Sequence, residues 1–337
     1  MKINASLQSA LLAIVERFPR QHIVVLGDLV ADEFIYGDIA RVSREAPVLI
    51  LKQREKRIVP GGGANAANNL VDLGARVTPV SAVGADEAGD VLVRTFRDKG
   101  VSMRHVLRLD GYVTPTKSRV LGVLSHGHPQ QIVRVDREPR EKVPPSVRRR
   151  LTGAAKSMLG KASALLVSDY GYGATSAAEV DVLRRSLSGR SLPLTVDSRY
   201  DFPAYTNVTA ATPNEPEVEE ACGEPIGNNL EVLHRLGKKL LRRQSLEALL
   251  VTRGREGMAL FEPRRPPQHL PIFGSDQVAD VTGAGDTVIA AFTLALAAGA
   301  SFVEAATIAN CAAGLVVMKR GTSTVTRAEL EEAIRNS

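Results

Sequence analysis

The sequence predicts an α/β fold, with a doubly wound parallel sheet and a small β-sheet lid. Four apolar runs of strand length lie along the chain, at residues 22–28, 164–169, 193–197 and 249–252. Three of these runs end in Asp and the fourth in Thr, which is typical of parallel strands that end at a ligand crevice. Amphipathic helical patterns lie between them, at residues 65–73, 88–99 and 230–243. This alternation indicates a parallel sheet that is covered by helices on both faces.

Two stretches lack helical patterns and contain segments in which apolar and polar residues alternate, at residues 48–59 and 116–135. In residues 131–136 the alternation places apolar and polar side chains on opposite faces of a strand. We expect these stretches to form a small antiparallel sheet, with lid strands from about residues 34–59 and 112–136. The sequence has no internal repeat and no long linker, so we expect one domain over residues 1–337.

The composition is that of an ordinary globular protein and argues against several classes of function. The 337 residues include 43 Lys and Arg and 37 Asp and Glu, which gives a net charge of +6. Part of this surplus lies in basic runs, such as residues 148–150, that are typical of solvated helix faces. Eight Phe, six Tyr and no Trp leave little aromatic surface for stacking on bases. We therefore expect no nucleic-acid partner, whereas a basic protein suits a phosphorylated small substrate.

Cysteine usage and hydropathy predict a cytoplasmic protein that does not span a membrane. Cys222 and Cys311 are far apart and lack the C-x-x-C spacing, which indicates ordinary thiols in a reducing compartment. The apolar residues 7–15 are followed by a charged pair where a cleavage site would lie, so we expect a surface helix there. The longest uncharged run, residues 287–303, is too short for a membrane span and predicts one buried core helix.

A glycine-rich segment at residues 60–65 opens the first predicted helix. Three consecutive glycines end at Gly63 and let the backbone come close to a ligand, while Asn65 offers both a hydrogen-bond donor and an acceptor. The segment matches neither the P-loop nor the dinucleotide fingerprint. On its own, it indicates either a ligand-binding turn or a purely structural one.

The strongest motif lies at residues 280–287, immediately before a long apolar run. Gly283, Ala284 and Gly285 precede Asp286 at a predicted helix start, where backbone N–H groups and the helix dipole favour an anion. A carboxylate at this place is poorly suited to bind phosphate. It is well suited to accept the proton of a hydroxyl group while a phosphoryl group transfers to that hydroxyl. The alternative is that Asp286 only caps the helix.

In their order and spacing, these two motifs resemble the signatures of the ribokinase-like (pfkB) carbohydrate kinases, over nearly the whole chain. The resemblance implies a ribokinase-like three-layer fold and a kinase that uses ATP. Within this family, the chain is similar to the D-glycero-β-D-manno-heptose 7-phosphate kinases of lipopolysaccharide core biosynthesis. The segments that carry this similarity are residues 43–48, 114–120, 130–136, 168–171, 212–217 and 319–325.

The resemblance implies roles for residues on the nucleotide side of the site. Asp286 corresponds to the catalytic base, with the anion hole at residues 283–285. Asn214 and Glu217 occupy an N-x-x-E motif that in the family organises Mg²⁺ and the ATP phosphates, and their oxygen atoms suit a magnesium ion that keeps several waters. From the residues alone, this segment is also typical of a loop before an acidic helix start. A nucleotide loop and an adenine pocket are implied at Thr252, Arg253, Gly254, Gly257 and Asn310. For Asn310, a hydrogen-bonded core position is the alternative.

On the sugar side, two carboxylates follow the first predicted strand. Asp28 and Asp32 can each accept hydrogen bonds from neighbouring sugar hydroxyls. The wall of this site would be completed by Gly62, Gly63 and Asn65.

The lid strands carry three cations, Lys117, Arg119 and Arg134. We expect them to bind a phosphate that the sugar already carries, because charge-assisted hydrogen bonds to phosphate are strong. The alternative is that these charges only keep a lid edge from pairing with other chains.

Two positions depart from the heptose 7-phosphate kinase pattern. Tyr172 stands where these kinases usually carry Lys, and Ser198 and Arg199 stand where they carry Pro and Lys. Arg199 can replace the charge of the lysine, but its planar guanidinium is not a point charge. The departures bear on how the substrate is placed and leave the expectation of a kinase unchanged.

The resemblance implies ATP- and Mg²⁺-dependent phosphorylation of the C1 hydroxyl of D-glycero-β-D-manno-heptose 7-phosphate, which gives the 1,7-bisphosphate. It also allows a monovalent cation. The alternatives are another sugar or nucleoside kinase of the family and a catalytically silent sugar-phosphate-binding protein. We expect a homodimer that forms through the lid, because a small two-sided sheet is marginal alone and its apolar face needs cover.

Two further features concern metal binding and a second activity. The six histidines are scattered without metal-ligand spacing, so we expect no zinc site. Many relatives carry a C-terminal adenylyltransferase with an H-x-G-H motif, to which His126 and His128 do not correspond. The sequence reaches Ser337 soon after residues 319–325, so we expect no second activity.

Overall fold

The computed structural model describes residues 4–123, 129–187, 191–274 and 279–337. His126 and His128, which belong to the second predicted lid segment, lie outside the described residues. The strands are β1 (His22–Gly27), β2 (Leu29–Val42), β3 (Leu49–Gly62), β4 (Arg76–Gly84), β5 (Val106–Leu109), β6 (Thr116–Val123), β7 (Gln130–Arg137), β8 (Ala164–Asp169), β9 (Leu194–Ser198), β10 (Ala210–Ala211), β11 (Ala248–Thr252), β12 (Met258–Phe261) and β13 (Gln268–Leu270). The helices are α1 (Ala5–Val15), α2 (Gly63–Asp72), α3 (Glu87–Asp98), α4 (Pro145–Leu159), α5 (Ala177–Ser186), α6 (Glu215–Cys222), α7 (Leu230–Arg243), α8 (Ala284–Ala297), α9 (Phe302–Val316) and α10 (Arg327–Arg335).

The main sheet of the described chain has nine strands, in the order β13-β12-β11-β10-β9-β8-β1-β4-β5. The strands from β11 to β5 in this order are parallel, and β12 and β13 add an antiparallel edge. Strand β1 lies between β8 and β4, so the chain changes direction across the sheet at this point. In open α/β sheets, ligands bind outside the carboxyl ends of the strands at such a switch point.

Helices pack on both faces of the main sheet and give three layers. Ile23 and Val25 of β1 face one core, to which α1, α2, α3, α8, α9 and α10 contribute apolar side chains. Val24 and Leu26 face the other core, which is completed by α4, α5, α6 and α7. Successive side chains of one strand thus enter opposite cores. This arrangement confirms the predicted doubly wound α/β fold, and its ribokinase-like three-layer form is established by the comparisons below.

The predicted strands and amphipathic helices of the main sheet lie where the sequence placed them, with ends that shift by no more than two residues. The apolar residues 164–169 coincide with β8, and residues 230–243 coincide with α7. These boundaries are predictable because buried parallel strands are almost purely apolar, while the helices between them must be polar on their outer face.

The expectation of one core helix over residues 287–303 is wrong. Helix α8 ends at Ala297 and α9 begins at Phe302. Gly299 lies between them with φ of 88°, a left-handed conformation that ends helices, and Ser301 caps α9 in a capping box with Glu304. Within the described ranges, no helix, α8 and α9 included, has both the length and the hydropathy that a membrane span requires.

Strands β3, β2, β6 and β7 form a second sheet, in that order. This sheet is the predicted lid, but the expectation that it is purely antiparallel is wrong, because β2 and β6 run parallel. The reason lies in the main sheet: β2 leaves the carboxyl end of β1, and β6 follows the carboxyl end of β5. Since β1 and β5 belong to one parallel set, both lid strands start from the same edge and run outward together.

Gly237 in the middle of α7 provides a test of core packing. A Cβ atom at this position would lie 2.4 Å from Cζ of the buried Phe261. Alanine normally favours a helix over glycine by about 1 kcal/mol. We nevertheless expect Gly237→Ala to lower the free energy of unfolding by about 1–3 kcal/mol, because the core would be overpacked. Urea denaturation measures this change.

The matched control is Gly153→Ala in α4, where the added Cβ atom meets nothing within 4 Å. This variant should raise the free energy of unfolding by up to about 1 kcal/mol. Equal stabilisation by both substitutions would contradict the packing around Phe261.

Candidate active site

The start of α8 lies against the start of α2 and beside the residues that follow β8. Gly283 is the N-cap of α8 and has φ of 79°. A Cβ atom at Gly283 would lie 2.5 Å from Nδ2 of Asn65. Glycine is required at this position for two reasons: any side chain would strain the left-handed backbone, and it would also push Asn65 away. The two glycine-rich motifs of the sequence thus meet at one place.

Backbone N–H groups at the start of α8 are available for an anion. In the part of the chain that the structure describes, the N–H groups of Gly283, Gly285 and Asp286 have no acceptor. The N–H of Ala284 donates to the carbonyl oxygen of Val281 at 3.2 Å and is used within the turn. The positive end of the helix dipole adds to the attraction for an anion. The structure thus leaves Gly283 and Gly285, but not Ala284, as free donors of the predicted anion hole.

Asp286 lies buried in the first turn of α8 and accepts two side-chain hydrogen bonds. Nδ2 of Asn65 donates to Oδ2 at 3.0 Å, and the phenol of Tyr170 donates to Oδ1 at 2.8 Å. Burial raises the pKa of Asp286 to about 6, although both hydrogen bonds and the charge of Lys117 favour the ionised form. A carboxyl group with this pKa is ionised at neutral pH and still basic enough to take a proton.

A chain of buried polar side chains fixes the orientation of Asn65. Oδ1 of Asn65 accepts a hydrogen bond from Nδ2 of Asn69 at 3.1 Å, and Oδ1 of Asn69 accepts one from Oγ1 of Thr287 at 3.2 Å. Because the carbonyl oxygen of the Asn65 amide faces Asn69, its NH₂ group must face Asp286. The relay joins α2 and α8 in the same place where their backbones meet.

The lid contributes a second buried carboxylate, Asp32 on β2. Its Oδ1 accepts a hydrogen bond from Nη1 of Arg119 at 2.5 Å, and its Oδ2 accepts one from Oγ1 of Thr322 at 2.7 Å. The guanidinium of Arg119 also lies over the ring of Phe34, 5.6 Å from its centroid. Asp32 therefore joins two lid strands to the segment that follows α9, and the carboxylate has both oxygens engaged.

The three predicted lid cations have different surroundings. Arg119 pairs with Asp32, and the exposed Arg134 makes two hydrogen bonds of 2.9 Å to Asp136. Lys117 has no carboxylate within ion-pair distance among the described residues, and its Nζ lies 4.8 Å from the centroid of the Tyr170 ring. Burial lowers the pKa of Lys117, against the attraction of Asp32 and Asp286. Of the three cations, Lys117 is the one turned toward Asp286 without a carboxylate partner.

Asp28 was predicted to accept hydrogen bonds from a sugar, and its surroundings argue against that role. Its carboxylate accepts hydrogen bonds of 2.9, 3.0 and 2.9 Å from the backbone N–H groups of Tyr170, Tyr172 and Ala174. Burial raises the pKa of Asp28 to about 6 despite these bonds. With three backbone donors on two oxygens, Asp28 holds the loop after β8 in place.

The segment with Asn214 and Glu217 begins α6 with a reciprocal capping box. Oδ1 of Asn214 accepts from the N–H of Glu217, and Oε2 of Glu217 accepts from the N–H of Asn214, both at 2.9 Å. Oε1 of Glu217 lies 3.5 Å from Arg199. The structure thus contains the acidic helix start that was the alternative interpretation, and Oε1 of Glu217 takes no part in the capping box.

The residues near α6 fit a magnesium ion that is held partly through water. Burial raises the pKa of Asp197 and of Glu217, and the charge of Glu217 raises that of Asp197 further. Two carboxylates that repel each other in this way would be relieved by a divalent cation. The described chain contains no group of three or more His, Cys, Asp or Glu side chains that could hold a metal alone. Water and phosphate oxygens would have to complete the coordination.

A largely apolar cleft of about 410 Å³ opens next to the start of α8. Ala284 and Gly285 line it, together with the apolar side chains of Met258, Phe273 and Val288. Of the predicted nucleotide residues, the cleft is lined by Thr252, Gly254, Gly257 and Asn310. Arg253 is not among the lining residues, because Nε of its guanidinium pairs with Oε1 of Glu215 at 2.6 Å. The volume and the apolar walls suit a flat aromatic ligand such as a nucleotide base.

Four residues at this site were not among those predicted from the sequence: Asn69, Tyr170, Asp197 and Thr322. Tyr170 and Thr322 lie in segments that carried the resemblance to heptose 7-phosphate kinases, and Asp197 ends a predicted strand. Asn69 lies four residues after Asn65 and therefore on the same helix face. The sequence thus marked the position of each of these four residues, but it did not indicate which group its side chain contacts.

The fold and the site together define a class of protein, a phosphotransferase that acts on a small molecule. A buried carboxylate lies beside free backbone donors that suit a phosphoryl group, and a cleft large enough for a nucleotide base opens next to both. The family model described as "pfkB family carbohydrate kinase" matches residues 20–329. The chain therefore belongs to the pfkB family of carbohydrate kinases and is a sugar kinase, as the resemblance implied.

Curated relatives support this assignment. The chain is 41% identical over 311 residues to the bifunctional protein HldE of Geobacter sulfurreducens. The matched region covers 91% of this chain and 61% of that protein. It is 38% identical over 323 residues to the HldE of Pelobacter propionicus, and this match covers 96% of this chain and 65% of that protein. The chain thus spans less than two thirds of the length of these relatives.

Solved structures of low sequence identity share the fold. The Arabidopsis thaliana ribokinase complexed with ribose and ATP has a TM-score of 0.71 and 21% identity, over 94% of this chain and 99% of that one. The Escherichia coli phosphofructokinase-2 in complex with substrates and products has a TM-score of 0.75 and 18% identity, over 94% and 99% of the two chains. These likenesses confirm the ribokinase-like fold.

Proposed function

We propose that this sugar kinase transfers the γ-phosphoryl group of ATP to the C1 hydroxyl of D-glycero-β-D-manno-heptose 7-phosphate. The observation that carries the proposal is the buried Asp286 carboxylate at the helix start, where free amides lie beside the nucleotide cleft. This geometry supports phosphoryl transfer from a nucleotide to a hydroxyl. The heptose rests on the resemblance of six sequence segments and is supported by the similarity to HldE proteins.

In the proposed mechanism, Asp286 is the general base. The acceptor hydroxyl loses its proton to the Asp286 carboxylate as its oxygen bonds to the γ-phosphorus, and the bond from that phosphorus to ADP breaks. The free N–H groups of Gly283 and Gly285 would stabilise the negative charge on the transferring group. On the lid, the charge of Lys117, which has no carboxylate within ion-pair distance among the described residues, would attract the phosphate that the sugar already carries.

Glu217 and Asn214 would hold a magnesium ion through water, with Asp197 adding negative charge nearby. When bound, the ion would neutralise charge on the phosphates of ATP. Arg199, which lies 3.5 Å from Glu217, already supplies part of that positive charge from the protein. The proposal also includes a monovalent cation, which rests on the family resemblance, and a location in the cytoplasm, which rests on cysteine usage and hydropathy.

The acceptor can be tested by measuring ADP release with a panel of sugars and sugar phosphates. We expect the heptose 7-phosphate to be preferred over neutral sugars. Lys117→Ala should reduce that preference about ten- to a hundredfold, because one charge-assisted bond to phosphate is lost. Lys52→Ala, which removes an exposed lysine of lid strand β3, serves as the control and should leave the preference unchanged. Equal turnover of fructose, ribose and every sugar phosphate would refute the heptose assignment and leave a general sugar kinase.

Asp286→Asn tests the base. The substitution keeps the shape of the side chain and the helix-start amides but cannot accept the proton, so we expect kcat to fall by about 10²–10⁴ while ATP still binds. In the parent enzyme the pKa of about 6 predicts that kcat/KM falls as the pH drops below that value, because the base becomes protonated. A variant with near-parental kcat, or a flat profile from pH 5 to pH 7, would exclude Asp286 as the base.

We further propose that two copies pair through the lid. Val133 and Val135 of β7 are 47% and 56% exposed, and they lie on the face opposite Arg119, since Val133 pairs with Val120 and Arg134 pairs with Arg119. An exposed apolar strip on a four-stranded sheet needs cover. Light scattering should give a dimer for the parent and a monomer for the double variant Val133→Asp/Val135→Asp.

The control for the dimer is Val182→Asp on α5, since this valine is equally exposed at 51% but lies outside the lid. It should remain a dimer. A fully active parent that is monomeric at micromolar concentration would overturn the proposal.

A further inference from the structure

The phenol of Tyr170 occupies the position that an acceptor hydroxyl needs. Its oxygen donates a hydrogen bond of 2.8 Å to Oδ1 of Asp286, while Asn65 holds Oδ2. A sugar hydroxyl that gives its proton to Asp286 must make this same O–H···O contact. Burial and the charge of Asp286 raise the pKa of Tyr170 well above its usual value, so the phenol remains a donor. The base is therefore capped by a group of the protein itself.

The ring of Tyr170 also fills the space beside the base. A Cβ atom built on Gly62 would lie 3.0 Å from Cε2 of Tyr170, which places the ring directly on the predicted sugar-facing wall. From the lid, Nζ of Lys117 lies over the same ring, 4.8 Å from its centroid. A sugar that reaches Asp286 along this wall has to take the place of the ring.

The backbone of the loop that carries Tyr170 is held in place, while a neighbouring cleft offers space for the Tyr170 side chain. The backbone N–H groups of Tyr170 and Tyr172 are held by the buried Asp28, so the loop stays in place. A cleft of about 560 Å³ borders this loop and is lined by Tyr170, Tyr172 and Tyr200. This volume is of the size that holds whole small ligands, so it can receive one phenol ring by a side-chain rotation.

We propose that Tyr170 is a specificity-determining residue that caps the base until the acceptor sugar replaces it, and thereby keeps water from acting as the acceptor. The inference rests on the proposed role of Asp286 as general base. Water is smaller than the phenol and cannot make the contacts along the sugar-facing wall that the ring makes. Its binding therefore cannot offset the loss of those contacts when the ring moves away. A sugar supplies a hydroxyl for Asp286 together with further contacts along the wall, and this added binding energy can drive the exchange.

The reaction that Tyr170 would suppress is hydrolysis of ATP. Without the cap, a water molecule could give a proton to Asp286 as its oxygen bonds to the γ-phosphorus, and the bond to ADP would break to give inorganic phosphate. Excluding water from an active site is a general means of preventing such side reactions. The products differ from those of the kinase reaction, so the two can be measured separately.

Phosphate release from Mg²⁺ and ATP, with no sugar present, tests the cap directly. We expect Tyr170→Phe to raise this rate about tenfold, since the hydrogen bond to the base is lost, and Tyr170→Ala to raise it further because the ring is also removed. The matched control is Tyr36→Phe, which removes a phenol from lid strand β2, where the ring stacks on Phe34 with a centroid distance of 6.4 Å. It should leave the rate unchanged. Parental rates in both Tyr170 variants would overturn the proposal.

Movement of the ring can be followed with a single tryptophan, because the parent has none. Tyr200 is 68% exposed and lines the receiving cleft, so Tyr200→Trp places a fluorophore beside the expected position of the displaced ring. Heptose 7-phosphate, added with a non-hydrolysable ATP analogue, should change the emission of this variant. The change should be absent when Tyr170→Ala is added. An emission that does not respond to a sugar phosphate that the enzyme turns over would refute the displacement.

These measurements separate the cap from the proposed function. If Asp286→Asn lowers kinase turnover but the Tyr170 variants release no more phosphate, the base is correct and the cap is wrong. If the Tyr170 variants release more phosphate and adding Asp286→Asn abolishes that gain, the cap is supported whichever sugar proves to be the acceptor. If the gain persists in the double variant, water is not activated by Asp286, and the cap is refuted.

Discussion

The buried carboxylate of Asp286 is the group on which the rest of the site depends. A buried charge is tolerated only when donors meet it, and here the donors come from distant parts of the chain. Asn65 belongs to helix α2, which follows lid strand β3, and Tyr170 follows β8. The doubly wound sheet makes this meeting possible, because β1 and β8 are neighbours and their carboxyl ends open on the same edge. The positive end of α8 then completes a place for an anion beside this carboxylate.

Much of the fold follows from the sequence alone. Buried parallel strands must be apolar on both faces, so an apolar run such as residues 164–169 can be recognised as a strand from the sequence. Two features did not follow. The break between α8 and α9 lies inside an apolar run, where one serine cap competes with a strong helical pattern. The parallel pairing of β2 with β6 depends on which edge of the main sheet each strand leaves, and alternation within a strand is the same for parallel and antiparallel neighbours.

For the site, residue types and their places could be predicted, but side-chain partners could not. The motifs placed Asp286, Asn65 and the glycines in one region, and the structure brings them together. The sequence says nothing about which cation a carboxylate meets, because Arg119 reaches Asp32 across two lid strands that are far apart along the chain. The same holds for Arg253, which pairs with Glu215 instead of lining the apolar cleft beside α8. Ion pairs of this kind depend on register and packing, which a short motif does not contain.

Asp28 and Asp286 show why the nature of the donors matters more than the pKa. Both carboxylates are buried, and burial raises the pKa of each to about 6. Asp28 is met by three backbone N–H groups, which cannot leave without unfolding the loop, so no ligand can compete for its oxygens.

Asp286 is met by two side chains, and these differ in turn. Asn65 is locked by Asn69 and the α2 helix, whereas the phenol of Tyr170 is held by one hydrogen bond and by packing. A carboxylate can serve as a base only if one of its donors can be exchanged for a substrate hydroxyl. By this criterion, Asp286 fits the proposed role of base, while Asp28, whose pKa is also raised to about 6, holds the loop that carries Tyr170.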